Sequence, residues 1–215
     1  MKKSDYMMAF FTIIAIFILV FPPTSNAFFG FTDAYPLIGG FLKFFLFASF
    51  GDVISHRIRN HNYAVPGLLY KAIVWGVIGI IIVFVFHIFS MGILSLQDEG
   101  LLPFAGNMFA FALFTSVFMN MIFAPTMMLF HRITDHYIEH RIVSDQHQIK
   151  TTIDMVDYRG FLSFVVFKTI PLFWIPAHTI TFMLSDTYRV FFASMLGIAL
   201  GLLLGIAKPK VKQGG

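Results

Sequence analysis

Long apolar runs separated by short charged stretches organise the chain. Six of them approach or exceed the about 20 apolar residues that a helix needs to cross the hydrocarbon layer. They cover residues 6–21 (YMMAFFTIIAIFILVF), 36–54 (PLIGGFLKFFLFASFGDVI), 67–91, 104–130, 160–182 and 187–207. Their apolar character is continuous rather than alternating, which argues against the strands of a membrane barrel. The pattern predicts an all-α, polytopic transmembrane helix bundle of about six segments.

The charges between these runs sort by side. Lys2, Lys3, Arg57, Arg59, Arg132, Arg141, Lys150, Arg159, Lys208, Lys210 and Lys212 fall on one side. Asp33, Asp98, Glu99 and Asp186 fall on the other, with Arg189 as its only clear cation. Short loops rich in Lys and Arg stay in the cytoplasm. Both termini and the histidine-rich stretch are therefore expected there, in a bacterial inner membrane or, for a eukaryotic chain, an organellar one. Residues 1–27 run from MKK through an apolar stretch to PPTSNA, which is also the layout of a cleavable secretory signal. The expected division is an N-terminal membrane helix or signal-like segment (1–27), a helical membrane domain (28–207) and a basic cytoplasmic tail (208–215). Cleavage would leave five segments with the same cytoplasmic loops.

Composition sharpens this in three ways. Apolar residues make up 58% of the chain and charged ones 12%, so the lipid bilayer is the expected partner. The formal charge of +4 then reads as a topology signal, which removes nucleic acid from consideration. Cysteine is absent, so disulfides, thiolate metal sites and cysteine nucleophiles are excluded.

One stretch invites a metal. HRITDHYIEH, residues 131–140, contains His131, His136 and His140, and His56 and His61 lie on the same expected side, as does His147. Spacings of four and five residues can place two imidazoles on one helical turn. HYIEH also fits the H-x-x-E-H string of one metallopeptidase group, and grouped histidines on one membrane face suit a membrane di-iron enzyme. Against this, the chain has no adjacent His-His pair, and Arg132 and Arg141 would oppose a bound cation. A solvated, amphipathic extension of a membrane helix accounts for the same residues. The favoured reading therefore has no cofactor and no catalysis, with a metal-dependent oxidase or peptidase at His56, His61, His131, His136 and His140 as the alternative.

Ionisable groups inside a span cost about 2.5–3.5 kcal/mol each at the helix centre on insertion scales, and they usually face a bundle interior or a wet cavity. At about 1.5 Å per residue, Lys43 lies roughly 10 Å and Lys168 roughly 13 Å from an end of its segment. Snorkelling toward the headgroups is the competing account of both. Asp52, near the end of the second segment, has Arg57 or Lys71 as its expected partner. His87 and His178 are lone imidazoles in apolar runs. Pro125, Pro171 and Pro176 interrupt their segments and free backbone carbonyls. Gly39 with Gly40 and Gly76 with Gly79 permit close backbone approach, and Gly197, Gly201 and Gly205 form a small-xxx-small packing series.

Taken in order, several of these residues resemble the Mpv-seventeen and peroxisomal twenty-two-kilodalton membrane protein family. YPLIGGFLKFFLFASFGDVISH, residues 35–56, is similar to the family's opening helix, which starts on Tyr-Pro-Leu and closes on Gly-Asp, here Gly51 and Asp52. Lys71 stands where the family has an arginine five residues before a glycine, here Gly76, and a later histidine, His87, is kept. FAPTMMLF, residues 123–130, resembles a Phe-Ala-Pro core, and Trp174, His178, Thr181, Phe182, Tyr188 and Arg189 fall close to a Trp, Gln, Asn-Phe and Tyr-Arg pattern. His56 replaces the usual Gln, Thr181 the usual Asn, the Gly-Pro before the middle histidine is missing, and the closing Trp-Asn signature is absent. The resemblance spans residues 35–207 and implies a weakly selective pore for small solutes, with Asp52 and Arg189 as its best-supported polar residues.

The expected function is a channel or transporter, or a support for one, that passes a small polar or anionic metabolite. Lys43, Lys168 and Arg189 would supply positive potential, Asp52 a counter-ion or gate, and His178 a further polar point on the pathway. A homo-oligomer packed through Gly197, Gly201 and Gly205, or a non-catalytic membrane scaffold, uses the same features.

Overall fold

The structure, a computed structural model, describes residues 3–143 and 149–207. Lys2, His147, Lys208, Lys210 and Lys212, with the rest of the 208–215 tail, lie outside the described residues. Among the described residues every regular element is helical, in agreement with the expected all-α class. The elements are α1 (Lys3–Val20), α2 (Pro22–Ala34), α3 (Pro36–Asn60), α4 (Leu68–Asp98), α5 (Met108–Ile122), α6 (Ala124–Val143), α7 (Ile149–Met155), α8 (Tyr158–Met183) and α9 (Asp186–Ala207).

Proline and capping residues set the breaks. Phe21 is extended before Pro22, as the residue preceding a proline prefers, and α1 and α2 meet at 77°. The segment expected at 104–130 is likewise two helices, α5 and α6, bent by 48° at Phe123 ahead of Pro125. The Asn107 side chain accepts from the Ala110 amide at 2.9 Å and so caps the start of α5. HRITDHYIEH is not a loop but the polar second half of α6. The expected signal-like site at Ser25 to Ala27 lies within α2.

By length and composition α3, α4 and α8 can each cross a membrane, and up to five spans result if each bent pair counts as one. Two of these helices widen internally. Residues 44–48 of α3 and 161–174 of α8 have the wider π-type turn. In α8 this stretch contains Pro171, whose missing N–H and ring would break a regular α-turn.

Glycine sets the central crossing. A Cβ on Gly40 would lie 2.7 Å from the Gly79 carbonyl oxygen, and one on Gly79 would lie 2.8 Å from Cβ of Phe44 and closer still to the Gly40 carbonyl. Gly39 sits as tightly on Thr32, and Gly76 on the Phe41 ring. Gly39, Gly40 and Gly79 thus let backbones approach, as expected, whereas Gly76 makes room for a ring. At Gly197 a Cβ meets nothing within 4 Å, and the tight glycine where α3 meets α9 is Gly51, 3.1 Å from Ile198. Gly201 and Gly205 continue α9. Around the α3–α4 crossing lies the core, with Phe44, Ile78, Ile82, Phe86, Met119 and Phe182 buried.

Gly79→Ala forces backbone apart and is expected to cost about 1–3 kcal/mol, as overpacked cores do. Gly92→Ala on the same helix meets open space and is expected to be neutral or to stabilise by up to about 1 kcal/mol through helix propensity. Unfolding midpoints of the purified protein in one detergent check both; equal midpoints would mean that the crossing tolerates a methyl group.

Candidate functional site

Alternating helix directions bring polar residues together at the two ends of the bundle, and each end holds a cavity. The first, of about 850 Å³, is lined where α3 begins, α4 ends and α9 begins. The second, of about 450 Å³, is lined by the end of α3, the start of α4, the α5–α6 bend and the inner faces of α8 and α9.

Lys43 lines the first cavity and is only 3% exposed, because Gly39 and Gly40 press its turn of α3 against α2 and α4. Its ammonium sits 5.7 Å from the Phe29 ring centroid. It makes no hydrogen bond or ion pair among the described residues. Snorkelling is therefore not its solution.

Arg189 lines the same cavity but is already engaged. Its Nε donates to the Leu184 carbonyl at 3.0 Å and its Nη2 to the Phe182 carbonyl at 3.1 Å, while Nη1 pairs with Asp186. The guanidinium thus caps the end of α8, where unsatisfied carbonyls favour a cation. Phe111 and Phe182 face it, each ring centroid 5.8 Å away. Asp33 at the rim accepts from the Thr187 hydroxyl at 2.8 Å, which ties α2 to α9.

The second cavity is a network rather than a lone charge. Asp52 accepts from the Trp75 indole at 2.8 Å, and the Trp75 ring packs on His131 with centroids 4.0 Å apart. His131 Nδ1 lies 3.8 Å from Asp135, and Lys71 donates to Glu139 at 2.6 Å and to Asp135 at 3.4 Å. Asp52 therefore has neither of its expected partners. Arg57 is held instead by both carboxylate oxygens of Asp5, at 2.9 and 3.0 Å, and Tyr63 donates to the same carboxylate at 2.9 Å. Desolvation, followed by that carboxylate, raises the Tyr63 hydroxyl above its ordinary value, so it remains a donor at neutral pH. His178 is buried between the stacked Trp174 ring and the edge of Phe86, with Nδ1 3.1–3.2 Å from the Asn120 amide.

The five expected pathway residues thus divide. Lys43 and Arg189 share the first cavity, Asp52 and His178 line the second, and Lys168 is exposed and lines neither. A single layer of buried side chains separates the cavities. Phe44 and Ile82 line the second, their neighbours Lys43 and Val83 line the first, and Phe86 faces the first with its edge on His178. Phe182, fully buried, completes this septum 4.8 Å from Phe86.

The histidines of the alternative reading are dispersed. His56 contacts the Asn62 carbonyl at 3.1 Å, His61 ends α3 with φ 57°, the His136 and His140 rings are 6.3 Å apart, and His131 faces the second cavity. Among the described residues no group of three or more His, Asp or Glu is placed to hold a metal ion. Trp75 and Asn120 were not singled out from the sequence. Asn120 carried a signal, a lone amide in an apolar run, whereas Trp75 reads as one more apolar residue. No protein-family model, curated protein or solved structure matches the chain.

Trp75→Phe keeps a ring against His131 but removes the donor to Asp52, and is expected to cost about 1–3 kcal/mol. Adding Asp52→Asn should recover part of that loss, because a neutral amide costs less than a carboxylate to leave unpaired. The check is a double-mutant comparison of unfolding midpoints in detergent, with a purely additive result counting against the bond.

Proposed function

We propose that the chain is an integral membrane protein whose helix bundle passes, or helps to pass, a small polar or anionic solute. The bent pair α1 with α2, then α3, α4, the bent pair α5 with α6, α8 and α9 form six membrane segments. Both termini and the polar half of α6 lie in the cytoplasm, in a bacterial inner membrane or its organellar equivalent. The distribution of Lys and Arg supports that orientation. The first cavity then opens outward and the second inward.

The observation that carries this reading is the pair of cavities at opposite ends, separated by the layer of Phe44, Ile82, Phe86 and Phe182. Lys43, Arg189, Asp52 and His178 face these cavities, in keeping with the cost of burying polar groups in lipid, and Lys168 is the exception. An apolar constriction between two wetter vestibules is one way that a pore gates. Asp52 is the fixed anion of the inner vestibule, held by Trp75, and Arg189 shapes the wall of the outer one. The reading agrees with a distant place in the Mpv-seventeen family, which we propose for residues 35–207.

Because the natural chain has no cysteine, single replacements report access without background. Ser90→Cys is expected to react with a membrane-impermeant maleimide only from outside, and Ser55→Cys only from the cytoplasmic side, in right-side-out and inverted vesicles. Reaction of both from one side would end the two-vestibule arrangement. Phe86→Ala thins the septum and is expected to raise efflux of small anions and sugars from proteoliposomes severalfold over the wild-type protein, while Phe86→Trp should not. Efflux equal to that of empty liposomes for wild type and Phe86→Ala alike would end the conduit reading.

A further inference from the structure

The first cavity displays one buried ammonium, that of Lys43, which has the Phe29 ring and the field of Asp33 near it but no bonded acceptor. Lys43 is 3% exposed, opens into the cavity, and bonds no acceptor among the described residues. Several of the other polar groups are already engaged. Arg189 serves Asp186 and two carbonyls, Gln97 donates to the Pro103 and Phe104 carbonyls at 3.2 Å each, Asn107 caps α5, and Thr187 donates to Asp33. Besides Lys43, the wall retains unspent donors at Ser90 and His87, which form no hydrogen bond among the described residues and lie three positions apart on one face of α4. The remaining surface is apolar, with Phe84, Phe86, Met91, Leu94 and Phe111 prominent.

We propose that this cavity binds a singly charged carboxylate with an apolar body, its carboxylate on the Lys43 ammonium and its body along the apolar wall toward Ser90 and His87. The proposal names the solute class of the conduit described above, and rests on that reading for its purpose but not for its existence. Lys43 offers one ammonium without a bonded acceptor, whereas a phosphate monoester or inorganic phosphate carries about −1.5 to −2 at neutral pH and would meet the carboxylates of Asp33 and Asp186 on the same wall. A volume of about 850 Å³ walled by Phe and Met is far larger than a bare small anion requires and accommodates several carbons. The carboxylate can come from a water-borne acid or from a fatty acid of the bilayer; the recognition chemistry is the same.

Titration calorimetry on the protein in nanodiscs, against empty nanodiscs, tests this with octanoate, octanamide and inorganic phosphate. Octanoate is expected to bind about ten-fold or more tighter than octanamide, the value of one charge-assisted bond, and tighter than phosphate. Lys43→Met should abolish the preference for octanoate over octanamide, and it should fold at least as well as the natural chain because it removes an unpaired buried charge. Octanamide or phosphate binding as tightly as octanoate, or a preference that survives Lys43→Met, overturns the proposal. The wild-type comparison decides the matter even if that variant is poorly made. Across butanoate, octanoate and dodecanoate, affinity that peaks by octanoate assigns the site to water-borne acids, and affinity that still rises at dodecanoate assigns it to bilayer fatty acids. Carboxylate binding without protein-dependent efflux leaves the site standing and ends the conduit reading; efflux without carboxylate preference does the reverse.

Discussion

The contact of α3 with α4 through Gly40 and Gly79 is the constraint on which the rest of the arrangement depends. Two backbones meet there with no side chain between them, so the residues just beyond the contact have no freedom to turn away. Lys43 is carried into the first cavity and Phe44 into the septum by the same turn. In a bilayer such contacts matter more than in water, because lipid is as apolar as leucine and helix association relies on close packing. The widening of α3 over residues 44–48 follows directly after this turn and redirects the helix toward Asp52 and the second cavity.

The two ends of the bundle treat charge in different ways. At the end that holds the second cavity Asp52, His131, Asp135, Lys71 and Glu139 form a chain of contacts spanning α3, α4 and α6, so each charge is partly answered by the next. At the opposite end Arg189 is engaged by Asp186 and by the terminal carbonyls of the helix before its own, and Lys43 faces the cavity without a bonded acceptor. The network ties three helices together although His131 Nδ1 and Asp135 Oδ1, buried 3.8 Å apart, form no hydrogen bond. A cation without a bonded acceptor in an apolar wall is costly to the fold and is best understood through what it can bind.

The helical class and several of the helix breaks were legible in the chain because each depends on local composition: length of apolar run and proline. The glycine pairs at 39–40 and 76–79 were legible for the same reason. Gly197 was legible only in part: its backbone lies in the α3–α9 contact, 3.4 Å from where a Cβ on Gly51 would sit, but its own Cβ direction is open and Gly51 is the glycine the contact requires. Asp52 shows the same limit. Its sequence neighbours offered Arg57 and Lys71, but Asp5, Glu139 and Asp135 reach those cations first, and Trp75 takes the carboxylate.

By itself, then, the amino-acid order determined that the protein is helical, where its apolar segments lie, and that Lys43, Lys168 and Arg189 stand within them. Only the tertiary structure decided which of those cations is free, which is spent and which looks outward. The reason is geometric. A helical count assumes a constant turn, yet residues 161–174 follow a wider one, with Lys168 on the exposed face, and the capping of α8 by Arg189 depends on where a chain reversal brings α9. Side-chain direction is local only while the turn is regular, and partnership is never local.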